Sequence, residues 1–378
     1  MKQHWDIFCT VVDNYGDIGI CWRLARELVS RHQLTVRLWV DDMVTFSHIA
    51  PNVNFNKSQQ WLNGVEIRYW SHPFEEGIKP ADVVIEAFAC KLPESYMTVM
   101  AELPLHPVWI NLEYLSAENW VANYHCLPSP HPYLSLVKYF FFPGFSLGTG
   151  GLLRTKHHLS DKNIFDDKAR SKFLQQLNVR ACMPSELRIS LFCYDTAPLN
   201  ELLTAWSKST ASIHVMVPQG SIAKVVGAYF HCSLPKVGTI LHKGKLTVQF
   251  IPFLEQSEYD QLLRCCDFNF IRGEDSFVSA QWSARPFVWH IYPQADNAHQ
   301  VKLESFLDLY TAKMIPSMAA AVRAFWLSWN NNDLISETWP DYLAFHMALK
   351  QYGDNWVRQL NTHTDLASNL VQFAENQI

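Results

Sequence analysis

Residues 7–32 read IFCTVVDNYGDIGICWRLARELVSRH. The apolar run Ile7–Val12 gives way to Asp13-Asn14-Tyr15-Gly16-Asp17-Ile18-Gly19, after which Trp22, Ala25 and Val29 recur on one helical face while Arg23, Arg26 and Glu27 point elsewhere. Strand, glycine turn and helix in that order predict the opening of a parallel α/β unit, with Asp13 at the carboxyl end of the strand and Asp17 near the helix start. A dinucleotide-binding loop requires G-x-G-x-x-G at this point, and D-N-Y-G-D-I-G fails that spacing. Gly16 and Gly19 still permit a tight turn and close backbone approach. Ligands of open α/β sheets bind at the carboxyl ends of the strands. The two carboxylates therefore either support a turn and cap a helix, or are presented to a substrate.

Outward from this stretch, further β-rich runs follow in LTVRLWV, VEIRYW, ADVVIEAF and PVWINLEY, with a helix-like segment at Glu94–Leu103. Continuous apolar strands joined by helices indicate a parallel sheet covered on both faces. Residues 1–150 form this first Rossmann-like domain. The stretch of roughly 143–185 is read as an interdomain crossing, with 151–184 as the linker proper: glycine-rich PGFSLGTGGLL is a flexible hinge, followed by polar HHLSDKNIFDDKARSKF. The alternation resumes over 185–344 with ELRISLFCY, SIHVMVP, LTVQFIPF, DFNFIRG and PFVWHIYP, a second Rossmann-like unit. Helices from about 345 to 378 are expected to return to the first domain.

Composition narrows the function. The chain has 378 residues, 48% of them hydrophobic, and a formal net charge of −5, which disfavours a general nucleic-acid or anionic-membrane binder. No apolar run approaches the ~20 residues that span a bilayer, and the N-terminus MKQHWDIFCT lacks a signal-peptide pattern. The nine cysteines include no C-x-x-C pair and suit reduced thiols, so a cytoplasmic protein is expected. None of the sixteen histidines shows metal-ligand spacing, and His157-His158 lies in the polar linker. No metal and no cofactor is expected.

A second constellation follows the strand DFNF in Ile271-Arg272-Gly273-Glu274-Asp275-Ser276-Phe277. A helix start offers backbone N–H groups to a phosphate, and the Ser276 hydroxyl is expected to add a donor. Glu274 and Asp275 suit sugar or ribose hydroxyls, with Arg272 supplying positive charge; equally, an acidic first turn complements the helix dipole. Phe192 and Tyr194 end one strand, and Phe253 and Gln256 follow another, where rings stack on a nucleobase or simply fill a core. Carboxylates in one domain and a cation, aromatics and a helix N-terminus in the other fit transfer from a nucleotide-activated donor. That division of labour belongs to a GT-B glycosyltransferase, with two Rossmann-like domains across a cleft.

D-N-Y-G-D-I-G after the first strand, PGF-x-x-x-TGGLL, and the stretch RGEDSF-x-x-AQ-x-x-x-x-PF-x-W-x-IYPQ-x-D-x-AH resemble the bacterial elongation factor P arginine rhamnosyltransferase family over nearly the whole chain. The resemblance implies an inverting, metal-independent GT-B enzyme moving L-rhamnose from dTDP-β-L-rhamnose to an arginine of elongation factor P, in support of ribosomes stalled at polyproline. Matched residue by residue, it implies Asp17 as general base, Asp13 as the carboxylate beside it and Glu274 as an acidic residue required for activity. It assigns Asp275 and Ser276 to the nucleotide-sugar site, Arg272 and Tyr292 to the donor diphosphate, and Phe192, Tyr194, Phe253 and Gln256 to the nucleotide pocket. Two other readings stay open from the residues alone: a GT-B enzyme with another sugar or a small acceptor, and a nucleotide-binding protein without catalysis.

Overall fold

The apolar runs become strands whose partners are far away in sequence, as parallel pairing demands. The computed structural model describes residues 3–155, 166–181, 183, 185–294 and 297–377. Two units divide the chain, Met1–Leu159 with Leu360–Ile378, and Ser160–Gln359.

The first unit carries β1 (His4–Cys9), β2 (Thr35–Val40), β3 (Gln59–Leu62), β4 (Val65–Tyr69), β5 (Val83–Ala87), β6 (Val108–Leu112), β7 (Pro128–Pro130) and β8 (Val137–Phe141). They lie in the order β3-β4-β2-β1-β5-β6-β8-β7. Only the outer hairpins are antiparallel, β3 on β4 and β7 on β8. Every residue of β5 and β6 is buried, because helices cover both faces of the sheet. The edges suit their places: β7 is Pro-Ser-Pro and β3 begins with two glutamines, compositions that blunt edge pairing and that hide both strands from a hydrophobicity reading. Inside β1, Asp6 is fully buried and receives Arg37 on both oxygens at 2.6 and 2.6 Å, the Trp39 indole at 3.3 Å, the Ala81 N–H at 3.2 Å and the Tyr96 hydroxyl. A buried carboxylate is tolerated when paired and hydrogen-bonded in this way.

The second unit carries β9 (Leu187–Leu191), β10 (Ile213–Pro218), β11 (Ile240–Lys243), β12 (Leu246–Ile251), β13 (Phe268–Arg272) and β14 (Phe287–His290). Their order is β11-β12-β10-β9-β13-β14, parallel except for β11 on β12. All eight cysteines among the described residues are free. Cys182 and His157-His158 lie outside the described residues.

The structure amends three expectations. Helix Gly16–His32 is not amphipathic in the expected sense, since Arg23 is 1% and Glu27 5% exposed. Helix Leu366–Asn376 packs against it, and Asp365 accepts from Arg31 at 3.0 Å. Residues 345–359, expected with the first unit, lie with the second; the return begins at Leu360. Nor is PGFSLGTGGLL a hinge. A Cβ at Gly144 would overlap Thr149, one at Gly150 the Phe141 ring, and one at Gly151 the Thr364 carbonyl oxygen. Gly144 and Gly150 allow close packing within the first unit's own loop and β8, and Gly151 allows it against the returning chain, which adds Leu366 N–H to Leu152 O at 3.0 Å and Asn369 Nδ2 to Gly150 O at 3.0 Å.

Gly151 also has φ +77°, a conformation that costs other residues about 1 kcal/mol before any clash. Gly151→Ala should therefore lower the urea unfolding free energy by about 2 kcal/mol or more. An unchanged midpoint and slope would refute the packing role.

Candidate active site

Each sheet has one point where the connections leave in opposite directions, and there the loops part. In the first unit it lies between β1 and β5; in the second, between β9 and β13. The residues singled out from sequence gather at these two points.

After β1 the chain makes a short loop before helix Gly16–His32. Asp17, in the first turn, folds back so that Oδ2 accepts the N–H groups of Val12 and Asp13, both at 2.8 Å. The Gly16 N–H donates to the Asp13 carbonyl at 2.7 Å, and the Val11 N–H to Asp41 Oδ1 at 2.9 Å. Asn14 takes φ +41°, which its short polar side chain tolerates better than most. A Cβ on Gly16 would sit 2.8 Å from Asp13 Oδ2, so glycine there makes room for that carboxylate. The two aspartates are not equivalent: Asp13 is 9% exposed and Asp17 only 1%. Oδ1 of Asp17 accepts the Tyr114 hydroxyl at 3.1 Å. Burial raises the proton affinity of Asp17, and the Asp13 and Val12 N–H groups and the Tyr114 hydroxyl only partly offset it.

In the second unit Arg272 ends β13, and its guanidinium carbon lies 4.7 Å from the ring centres of both Phe192 and Tyr194, which follow β9. Such stacking orients a planar cation. Tyr194 also meets His290 edge-on at 5.2 Å and Tyr292 at 5.7 Å. Tyr292 is 38% exposed whereas Tyr194 is 7%, so Phe192 and Tyr292 present more ring surface than Tyr194. Glu274 is the N-cap residue of helix Asp275–Ser283 and makes no side-chain cap bond. Asp275, in the first turn, accepts from Gln256 Nε2 at 3.1 Å. Phe253 is half-buried in the loop after β12.

Ser276 departs from its expected use. Its hydroxyl accepts the Arg272 N–H at 3.1 Å and donates to the Arg272 carbonyl, closing the turn around Gly273. That hydroxyl is engaged within the loop; the positive character at this point comes from the Arg272 guanidinium and the helix N-terminus. Gly273, at φ +61°, sends its carbonyl to the Trp289 indole at 2.8 Å.

Three residues at these edges escaped the sequence reading. Tyr114 and Phe88 follow β6 and β5, where the apolar runs PVWINLEY and ADVVIEAF absorbed them. His290 ends β14, accepts the Tyr194 N–H at 3.3 Å, and is pushed down to about 4 by burial and by Arg272. The signal that could have found them is position: each stands at the carboxyl end of a parallel strand, Phe88 beside a switch point and Tyr114 and His290 one strand away from one. Among the described residues no group of three His, Cys, Asp or Glu side chains could hold a metal ion, and no helix is long and apolar enough to cross a membrane.

A family model for the elongation-factor P (EF-P) rhamnosyltransferase EarP matches residues 5–375. The chain belongs to the EarP family. The protein-arginine rhamnosyltransferase of Pseudomonas putida is 45% identical over 380 residues, with 100% of both chains covered. That of Pseudomonas aeruginosa is 43% identical over 371 residues, covering 98% of each. A structure solved for EarP-mediated arginine glycosylation of translation elongation factor EF-P aligns over 100% of both chains, with a TM-score of 0.71 and 32% identity. MurG of Acinetobacter baumannii aligns over 99% of this chain and 100% of its own at a TM-score of 0.52 and 12% identity, which shows the fold alone. Membership makes the chain a glycosyltransferase, and its fold class is GT-B, with which its two parallel-rich sheets agree.

The depressed proton affinity of His290 sets a pH dependence. A histidine at about 4 when folded and about 6.5 when unfolded stabilises fully above pH 6.5. That contribution is lost as pH falls through the folded value. Between pH 7 and 4.5 the wild type should lose about 2–3 kcal/mol more unfolding free energy than His290→Asn. Parallel urea titrations with equal losses would show that His290 is not the group responsible.

Proposed function

We propose that this chain transfers L-rhamnose from dTDP-β-L-rhamnose to an arginine of elongation factor P, with inversion and without a metal, and that the modified factor supports ribosomes stalled at polyproline. The names of the relatives support rhamnose and arginine, and the EarP structure supports elongation factor P as the acceptor. The thymidine diphosphate and the polyproline role rest on the family resemblance.

One observation carries the chemistry. Asp17 is a buried carboxylate with raised proton affinity, one oxygen held by two backbone N–H groups and the other by a single hydroxyl among the described residues. Oδ1 thus keeps a lone pair for a guanidinium N–H. An arginine is a poor nucleophile while protonated, its pKa being above ~12. Asp13 and Asp17 hold the guanidinium by charge-assisted hydrogen bonds, and Asp17 removes a proton as nitrogen attacks the anomeric carbon. The bond from that carbon to the diphosphate oxygen breaks on the opposite face, which inverts the centre. Arg272 and the helix N–H groups receive the departing dTDP, Phe192, Phe253, Tyr194 and Gln256 surround its base, Tyr292 lies by the diphosphate, and Glu274, Asp275 and Ser276 face or shape the sugar site.

The test is intact-mass analysis of unmodified elongation factor P after incubation with the protein and dTDP-rhamnose. A deoxyhexose increment on one arginine supports the reading; none, with transfer from another nucleotide sugar, would favour a different donor. Asp17→Asn should reduce turnover at least about 100-fold while dTDP binding persists, and near-normal turnover would remove Asp17 as the base. Arg272→Lys keeps the charge but loses the stacked plane, and should weaken dTDP binding about ten-fold by calorimetry; equal affinity would count against the donor assignment.

A further inference from the structure

The Tyr114 hydroxyl reaches Asp17 Oδ1 across 97 residues of sequence, from the segment after β6. Behind it the Phe88 ring lies nearly parallel to the Tyr114 ring, with centres 4.4 Å apart and planes 16° apart. Phe88 comes from the neighbouring strand end, after β5, and its N–H donates to the Leu112 carbonyl at 2.7 Å, tying that turn to the end of β6. The turn is built at a cost. Phe88, Ala89 and Lys91 have φ of +56°, +54° and +56°, the left-handed region that residues with a Cβ avoid. Local strain of this kind persists where the surroundings enforce it, and it concentrates at functional sites. Here its result is a ring laid flat against Tyr114.

We propose that Tyr114, backed by Phe88, is a positioning residue for transfer: its hydroxyl fixes the direction of Asp17 Oδ1 toward the acceptor nitrogen. This rests on the reading of Asp17 as the base. Oδ2 is anchored by two N–H groups and cannot turn toward a substrate without opening the loop. Oδ1 is the oxygen with capacity to spare, and Tyr114 is the side chain that holds it. The hydroxyl also favours the charged carboxylate, opposing burial. The titratable side chains acting on Asp17 are Tyr114 and Cys9 of β1, whose thiol burial keeps neutral, while Asp13 acts through its backbone N–H. Loss of the hydroxyl therefore raises the proton affinity of Asp17 further.

The experiment compares wild type, Tyr114→Phe, Phe88→Leu and Asp17→Asn with dTDP-rhamnose and unmodified elongation factor P across pH, with dTDP calorimetry as the check that the second unit is intact. Tyr114→Phe keeps the ring stack. It should lower kcat about ten-fold, the worth of one hydrogen bond to a charged group. It should also leave the donor KM unchanged and move the acid limb of the kcat profile to higher pH. Phe88→Leu keeps the hydroxyl and should shift both quantities the same way by less, and it carries the comparison if Tyr114→Phe does not fold. If Asp17→Asn is inactive while Tyr114→Phe has wild-type kcat and an unmoved acid limb, the positioning role fails and the base reading stands. If Asp17→Asn turns over normally, both fall.

Discussion

Parallel pairing makes every strand of a sheet end on the same edge, and the chain can reverse its winding direction at only one place along it. Where it does, two loops diverge and leave room for a ligand. The first unit reverses between β1 and β5, and Asp13, Asp17, Phe88 and Tyr114 all descend from strand ends around that point. The second reverses between β9 and β13, which brings Phe192, Tyr194, Arg272 and Glu274 together, with Tyr292 after the adjacent β14 and Gln256 after β12, two strands from β9. The same constraint, applied twice, puts two complementary chemistries on one chain: carboxylates in one unit, a stacked cation beside a helix N-terminus in the other.

Buried carboxylates show how partners decide what an aspartate does. Asp365 is buried like Asp17, yet the Arg31 guanidinium and the Ser368 N–H overcome burial and hold it below the usual carboxylate range. Its effect is mechanical, fastening the returning chain to helix Gly16–His32. Asp17 is held by N–H groups and a hydroxyl, and burial prevails in the other direction. A carboxylate locked to a cation is a poor base; one held by neutral donors keeps its affinity for a proton. The distinction lies in the partners, since both residues are aspartates near the start of a helix.

Much of the fold was legible because parallel strands buried on both faces must be continuously apolar. β1, β2, β5 and β6 were visible for that reason, as were β9, β10, β12, β13 and β14, while β4 (VEIRY) showed instead by its alternating, β-branched pattern. The edge strands β3, β7 and β11 were not, because their sequences meet solvent and carry glutamine, proline and lysine. Helix Gly16–His32 misled in a specific way: Arg23 and Glu27 lie off its apolar stripe, yet both are buried, and a helix more than 300 residues away in sequence packs against it. The glycines of PGFSLGTGGLL misled similarly, since a glycine that frees the backbone and one that admits a neighbouring chain look identical in sequence.

The residues themselves determined that two α/β units exist, that carboxylates follow β1, and that an arginine with an acidic helix start follows β13. These are local matters, set by hydrophobic period and by which residue types can make a turn. Only the tertiary structure decided that Asp17 is buried more deeply than Asp13, that Ser276 closes its own loop, and that Tyr114, backed by Phe88, stands against the aspartate. Each of these depends on strands brought side by side by pairing and on how deeply a side chain is then buried. Burial and partners are set by neighbours distant in the chain, and they, rather than residue type, govern proton affinity.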